Sequence, residues 1–166
     1  MGQVKSLFLS ILFMFSSLLI ASERIDKNGS IVLKGKVTLE QLNERKKFEW
    51  FASGVERYHP NQDIVDSLKA FKDFSLVVVL GTWCSDTKEQ LPKLIKVLQQ
   101  MNYPLKSIQL IAVGRDKKVP KQFRNYTVQN VPTIFVLRQN NVTGKVVETP
   151  IKSMEEDVLE ILRKQK

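Results

Sequence analysis

FSLVVVLGTWCSDT, residues 74–87, is the stretch from which the rest of the chain is best interpreted. Its first half, residues 74–80, is apolar and rich in β-branched side chains, which is typical of a central strand buried on both faces. Gly81 ends that strand. Over residues 91–101, apolar side chains recur at spacings of three and four, which predicts an amphipathic helix. The segment therefore predicts a strand–turn–helix unit with Cys84 at the start of the helix.

The chain beyond this unit continues with strands and a final helix. Apolar runs predict strands over 108–113 and 133–137. The polar stretch 140–144 predicts a turn, so that 145–148 pairs antiparallel with the strand before it. A closing helix is predicted from Met154. The order is β-α-β, a loop and β-β-α, which places the chain in the α/β class with helices on both faces of a mixed sheet.

The region before this unit predicts mainly helices. Thr38 and Gln41 have the spacing of a capping box, and an apolar stripe then runs to Tyr58, just before Pro60. A second helical stripe covers 64–71, and Asp63 is expected at its start. Residues 23–38 are polar around a short apolar run at 31–33, and they predict either an edge strand or a loose arm.

Residues 1–22 have the three-part pattern of a secretory signal peptide. A basic start is followed by an apolar run over 7–20 and by the small residues Ala21 and Ser22. A spanning helix needs roughly 20 apolar residues, so a permanent anchor is the less favoured interpretation. We expect an exported protein, periplasmic in a Gram-negative bacterium, with no stable membrane span after cleavage. If the segment is retained, it would tether the protein to the membrane.

Composition narrows the possible chemistry. The formal net charge is +9, but no basic stretch is interleaved with aromatic residues, so we expect no nucleic-acid partner. Cys84 is the single cysteine of the chain, which excludes an internal disulfide. His59 is the single histidine, so no zinc-ligand set can be completed, and we expect neither a metal nor a cofactor.

The segment 115–125 is basic and contains Pro120, which predicts a loop after the strand 108–113. Its first residue, Arg115, lies at the carboxyl end of that strand, where the sites of α/β proteins gather. Two interpretations stay open for Arg115: contact with an acidic substrate, or an ordinary loop charge, which is the more favoured.

Three features together resemble the thioredoxin superfamily, most of all its exported bacterial members. The first is Trp83-Cys84 between a strand and a helix, where the family pattern is Trp-Cys-x-x-Cys. The second is Pro92, eight residues after Cys84, and the third is Val131-Pro132 just before a hairpin. The resemblance covers residues 70–165. It implies a three-layer α/β/α fold with a mixed central sheet and an N-terminal helical extension.

This resemblance implies a division of the chain and a set of site residues. Residues 23–72 would be an N-terminal arm and helical lead-in, and 73–166 the thioredoxin-like domain. The catalytic residues would be Cys84 as nucleophile, Trp83 beside it and Thr87 one helical turn on. The substrate-binding residues would be the following: Val131, Pro132, Ser85 and Asp86. A cis Val131–Pro132 bond would expose main chain that pairs with an extended substrate peptide.

Two positions depart from the family pattern. Thr87 stands in place of the second cysteine, and Val78 in place of a buried acid that assists proton transfer in thioredoxins proper. The helix N-terminus is expected to favour the thiolate of Cys84, while the nearby Asp86 opposes it. The hydroxyl of Thr87 is expected to donate a hydrogen bond to that sulfur. With one sulfur, Cys84 can form a mixed disulfide that an external thiol must resolve.

Three functions are compatible with these residues. The leading hypothesis is a monothiol thiol–disulfide oxidoreductase of the cell envelope, whose partners are protein or low-molecular-weight thiols and disulfides and an external reducing thiol. The second is a redox-inactive module that binds an extended peptide or protein partner at the Val131-Pro132 loop. The third is a one-cysteine peroxide reductase, which is disfavoured because such enzymes usually carry a different motif.

Overall fold

The computed structural model describes residues 21–164, which form a mixed sheet covered by helices. The strands are β1 Ser22–Ile25, β2 Ile31–Val37, β3 Ser75–Leu80, β4 Gln109–Ala112, β5 Thr133–Arg138 and β6 Asn141–Val147. The α-helices are α1 Leu39–Leu42, α2 Arg45–Arg57, α3 Gln62–Leu68, α4 Ser85–Gln100 and α5 Met154–Arg163, and two 3₁₀ helices span Leu105–Ser107 and Lys121–Tyr126. The α/β class expected from the sequence is confirmed. Apart from Ala21 and Ser22, the predicted signal peptide lies outside the described residues.

The six strands are ordered β1-β2-β4-β3-β5-β6. β3 and β4 are parallel, and the other neighbouring pairs are antiparallel. β3 lies inside the sheet, and its side chains from Leu76 to Leu80 are buried on both faces, as the apolar run predicts. The predicted order of β-α-β, a connecting segment and β-β-α is confirmed from β3 to α5.

The two faces of the sheet are covered differently. Leu76, Val78 and Leu80 point into one core, to which all five α-helices of the described chain contribute buried side chains. Val77 and Val79 point to the opposite face, into a smaller core closed by the segment 119–128. The expected α-helical layer on that second face is therefore replaced by the 3₁₀ helix Lys121–Tyr126. The physical reason is that 115–125 contains Pro120 and too few apolar side chains for an amphipathic α-helix.

The N-terminal region combines a β-hairpin with the predicted helices. β1 and β2 pair antiparallel, and β2 also pairs with β4, so residues 23–38 form strands rather than a loose arm, with β1 and not the apolar run at the edge of the sheet. The capping box of Thr38 and Gln41 is confirmed. The helix predicted to run on to Tyr58 is instead interrupted at 43–44, and α3 is capped by Asn61 rather than started by Asp63.

The hairpin between β5 and β6 is tighter than predicted. Gln139 and Asn140 form its turn with positive φ angles of 48° and 65°, and β6 begins at Asn141. The predicted five-residue turn over 140–144 is therefore wrong, because two residues suffice and an irregularity at Val136/Leu137 absorbs the register shift. Over residues 21–164, no helix is both long and apolar enough to cross a membrane.

Candidate active site

Cys84 is placed by the junction between β3 and α4. It is the N-cap residue of α4; its N–H donates to the carbonyl of Gly81 at 2.9 Å, and its carbonyl accepts from the N–H of Lys88 at 3.1 Å. The half-buried side chain belongs with Trp83 to the rim of the smaller core. The predicted position of the thiol at a helix N-terminus is therefore confirmed.

The folded chain brings Val131 to this sulfur. Cys84 Sγ lies 3.2 Å from the carbonyl oxygen of Val131, a residue 47 positions further along the chain. A carbonyl oxygen can only accept a hydrogen bond, so this contact is made by the thiol proton. The peptide bond between Val131 and Pro132 is cis, as expected from the resemblance, and both residues are buried.

A ring of hydrogen bonds holds the loop that carries Val131. The carbonyl of Pro132 accepts from the N–H of Glu148 at 2.8 Å, and the carboxylate of Glu148 accepts from Asn130 Nδ2 at 3.1 Å. The hydroxyl of Thr133 donates to the carbonyl of Asn130 at 2.7 Å. The loop that carries the Val131 carbonyl is thus held by Glu148, just after β6, as well as by Thr133 of β5. Sequence reasoning missed Asn130 and Glu148, because their contact depends on the hairpin register.

The side chain of Trp83, the residue before Cys84, is held by two contacts. Its Nε1–H donates to the carbonyl of Val113 at 3.0 Å, just beyond the end of β4. The guanidinium of Arg115 lies 5.0 Å from the centre of its ring, within the range of a cation–π contact. A Cβ atom at Gly81 would come within 2.8 Å of the indole, so the absence of a side chain there makes room for the ring.

Arg115 is itself held by the hairpin of β1 and β2. Asp26, in the turn of that hairpin, accepts two hydrogen bonds from Arg115, at 2.7 and 3.0 Å. The bonds from Arg115 and from the N–H of Ser30 lower the pKa of Asp26 below its ordinary value. A second pair, Lys34 with Asp116 at 3.4 Å, joins the same hairpin to the segment after β4. The structure shows Arg115 as a loop residue whose charge is paired with Asp26.

Thr87 occupies a different role from the one expected. It is fully buried, and its hydroxyl accepts a hydrogen bond from the N–H of Gly81 at 3.2 Å. Within the described residues no hydrogen bond joins it to Cys84; the partner of the sulfur is the carbonyl of Val131. The N–H of Gly81 has no strand partner at the end of β3, and the Thr87 hydroxyl takes that place. This hydrogen bond connects the first turn of α4 to the end of β3.

Thr82 is the polar residue of this turn that sequence reasoning missed. Its hydroxyl donates to the carbonyl of Ile31 at 2.7 Å and accepts from the N–H of Leu33 at 3.1 Å. The pairing of β2 with β4 ends at Gly35, so these two main-chain groups of β2 lie beyond the ladder. Thr82 thereby ties the active-site turn to the N-terminal hairpin. A lone threonine after a strand carries no signal for such a bridge.

The remaining predicted residues belong to α4 itself. Ser85 is exposed and Asp86 is half-buried in the first turn of that helix. Pro92 lies inside α4 against α2, where a Cβ atom at Gly54 would come within 2.7 Å of the proline ring. Among residues 21–164, no three His, Cys, Asp or Glu side chains come together as a potential metal site.

Comparisons with known proteins bear on the fold. No family model matches the chain, and no curated protein matches it. Its structure is similar to that of a protein of unknown function from Pseudomonas aeruginosa, with a TM-score of 0.54 and 18% identity over 71% of this chain and 84% of that one. It is also similar to an HIV epitope scaffold, with a TM-score of 0.54 and 17% identity over 71% of this chain and 85% of that chain. At these identities the likeness shows a shared mixed α/β fold alone.

Proposed function

We propose that this protein is a thioredoxin-like thiol–disulfide oxidoreductase of the monothiol type, exported to the bacterial cell envelope. The observation that carries the proposal is the contact of Cys84 Sγ with the carbonyl of Val131 at 3.2 Å. It joins a helix N-terminal thiol to a buried main-chain segment from a distant part of the sequence. The order of β3, Cys84, α4 with Pro92, and Val131-Pro132 ahead of a hairpin supports the family assignment.

The chemistry follows from one sulfur. The Cys84 thiolate attacks one sulfur of a substrate disulfide R–S–S–R′; a Cys84–S–S–R bond forms while the substrate S–S bond breaks, and R′–S⁻ leaves and takes up a proton from water. An external thiolate R″–S⁻ then attacks the sulfur of R, which gives R–S–S–R″ and returns the Cys84 thiolate. Full reduction of R requires a second external thiol, which releases R–SH and R″–S–S–R″.

The residues around the sulfur have separate parts in this cycle. Trp83, the residue before Cys84, is held by Val113 and Arg115 and in this proposal shields one side of the thiol. The Val131 carbonyl gives up its contact with the thiol when Cys84 is deprotonated, and is then available to an N–H of an extended substrate. Thr87 has no sulfur, so release of the mixed disulfide depends on the external thiol.

The proposal is tested by the rate at which Cys84 reacts with a chromogenic aromatic disulfide. Because Cys84 is the single cysteine, the chain unfolded in urea provides the reference rate of an unperturbed thiol, with glutathione as the control for the effect of urea itself. We expect the folded protein to react faster, and added glutathione to release the bound aromatic thiol. Cys84→Ser is the blank. A folded protein that reacts more slowly than the unfolded chain would contradict the proposal.

The contact between Cys84 and Val131 is also compatible with a second function, that of a redox-inactive binding module. The thiol of Cys84 already has a hydrogen-bond partner in Val131, and Thr87 cannot resolve a mixed disulfide. These features suit a binding module in which the thiol is a structural group. In that case Cys84→Ser would leave partner binding unchanged, and the folded thiol would be unreactive. Rapid loss of the thiol to dilute peroxide would instead point to a peroxide reductase.

Export is the part of the proposal that depends on residues 1–22. The basic, apolar and small-residue order of this segment supports it. Expression in a Gram-negative host, followed by fractionation and intact-mass measurement, tests it. We expect a periplasmic product shortened near Ala21 or Ser22. A full-mass product in the cytoplasmic fraction would overturn it.

A further inference from the structure

A basic groove lies along the segment between β4 and β5, the segment from which Arg115 reaches Trp83 and Val131 reaches Cys84. Its volume is about 690 Å³, and its walls include the apolar side chains Val119 and Val128. Both belong to the rim of the smaller core, the same rim to which Trp83 and Cys84 belong. The groove and the candidate active site are therefore packed against the same core.

Positive charge dominates the lining of this groove. Its cations are Lys117, Lys118, Lys121 and Arg124. The one acid of the lining is Asp116, and Lys34 from β2 is its partner at 3.4 Å. None of the four cations forms an ion pair with another residue in 21–164. Their charges are thus available to a ligand.

The ends of the segment connect the groove to the thiol on both sides. Arg115, just before the groove, stacks over Trp83 and is neutralised by Asp26. Val128 lies three residues before Val131, whose carbonyl contacts Cys84 Sγ. Three residues span at most about 10 Å, so a peptide paired with the Val131 main chain would lie within reach of the groove and its cations. A substrate peptide held in the groove would be kept close to Cys84, so the groove would influence which substrates react.

We infer that the groove lined by Lys117, Lys118, Lys121 and Arg124 binds acidic side chains of a peptide whose cysteine reacts with Cys84, so that the substrates are acidic around the reacting cysteine. The inference rests on the proposed function. Charge complementarity in a groove raises the local concentration of an oppositely charged partner, and the effect is screened by salt. A peptide, rather than a small anion, is favoured because Val128 of the groove lies only three residues before Val131, whose carbonyl contacts Cys84.

The test uses two peptides that differ in charge alone. Each carries one cysteine as a mixed disulfide with neutral 2-thiopyridine, flanked by four glutamates in one peptide and by four glutamines in the other. The Cys84 thiolate forms a disulfide with the peptide sulfur and releases the pyridine thiolate, which takes up a proton and is measured by absorbance. We expect the acidic peptide to react about tenfold faster at low ionic strength, and the difference to shrink in high salt.

Two double variants separate the groove from the net charge. Lys118→Gln/Lys121→Gln should reduce the preference to about threefold or less. Lys46→Gln/Lys145→Gln, at exposed positions on α2 and β6, changes the net charge equally and should keep the preference. Equal rates for the two peptides, or equal loss in both variants, would overturn the inference.

The outcomes also distinguish this inference from the proposed function. If neither peptide reacts faster with the folded protein than with the unfolded chain, the proposed function fails. If both react rapidly and equally, the proposed function stands and the groove has no part in selection. If Lys118→Gln/Lys121→Gln abolishes binding to anionic phospholipid vesicles while both peptides react equally, the groove belongs to a membrane surface, and the inference is wrong.

Discussion

Replacement of Thr82 by valine is the most direct test of how the active-site turn is held. Valine keeps the shape and volume of threonine but has no hydroxyl. The substitution leaves the N–H of Leu33 and the carbonyl of Ile31 without the partner that now lies at 3.1 and 2.7 Å. Because Thr82 is 2% exposed and Leu33 is 1% exposed, water cannot replace the hydroxyl at the Leu33 N–H without opening the structure.

The size of the effect follows from these two groups. An unpaired buried N–H costs about 1–3 kcal/mol, and the half-buried Ile31 carbonyl adds about 0.5–1 kcal/mol because water partly reaches it. We therefore expect Thr82→Val to lower the free energy of unfolding by about 1.5–4 kcal/mol. With a urea m-value of about 2 kcal/mol per molar, the unfolding midpoint should fall by about 1–2 M.

Thr82→Ser is the matched control, because it keeps the hydroxyl and removes one methyl group. It should cost about 1 kcal/mol. Urea unfolding followed by circular dichroism measures both variants, and hydrogen exchange locates the change. The amide of Leu33 should exchange faster in Thr82→Val and stay protected in Thr82→Ser. The reasoning is refuted if Thr82→Val is as stable as the parent protein, or if the two variants lose the same free energy.

Two further predictions concern the ion pair of Asp26 with Arg115 and the buried carboxylate of Glu155. The lowered pKa of Asp26 means that its contribution to stability is present above the unfolded pKa and is lost as the pH falls through the folded pKa. Asp26→Asn should therefore make the fall of the urea midpoint between about pH 6 and about pH 3 shallower; an unchanged fall would contradict this. The hydroxyl of Tyr58 donates to the carboxylate of Glu155, which is 3% exposed, at 2.6 Å. Tyr58→Phe should lower the free energy of unfolding by about 1–3 kcal/mol in urea melts, whereas Tyr126→Phe should not, and equal losses would refute the role of this bond.

The local elements of this protein were predictable because their signals lie within short windows. The β-branched run of β3 and the threefold and fourfold apolar spacing of α4 place Cys84 at a helix N-terminus. The capping box of Thr38 depends on a neighbour three residues away. The interruption after Leu42 was not predicted, because the apolar stripe of this region continues past residues 43–44 although the helix does not.

The second face of the sheet shows where local signals end. The basic stretch 115–125 with Pro120 was expected to be a loop, and α-helices were expected on both faces of the sheet. The structure closes that face with a 3₁₀ helix, because Val119, Phe123 and Val128 cover it without a full amphipathic stripe. Coverage of a sheet depends on which side chains reach it, and helical periodicity is one of several ways to supply them.

By itself the sequence determined the α/β class, the strand–turn–helix at residues 74–101 and the presence of a single sulfur in the chain. The tertiary structure decided what that sulfur and its neighbours contact. Thr87 is bonded to Gly81 instead of Cys84, Thr82 bridges to β2, and Arg115 stacks on Trp83 while paired with Asp26. The physical reason is the separation of the contacting residues along the sequence. Helix and strand signals arise from neighbours a few residues apart. The partners of these groups lie 6 to 89 positions away, and sheet register alone brings most of them together.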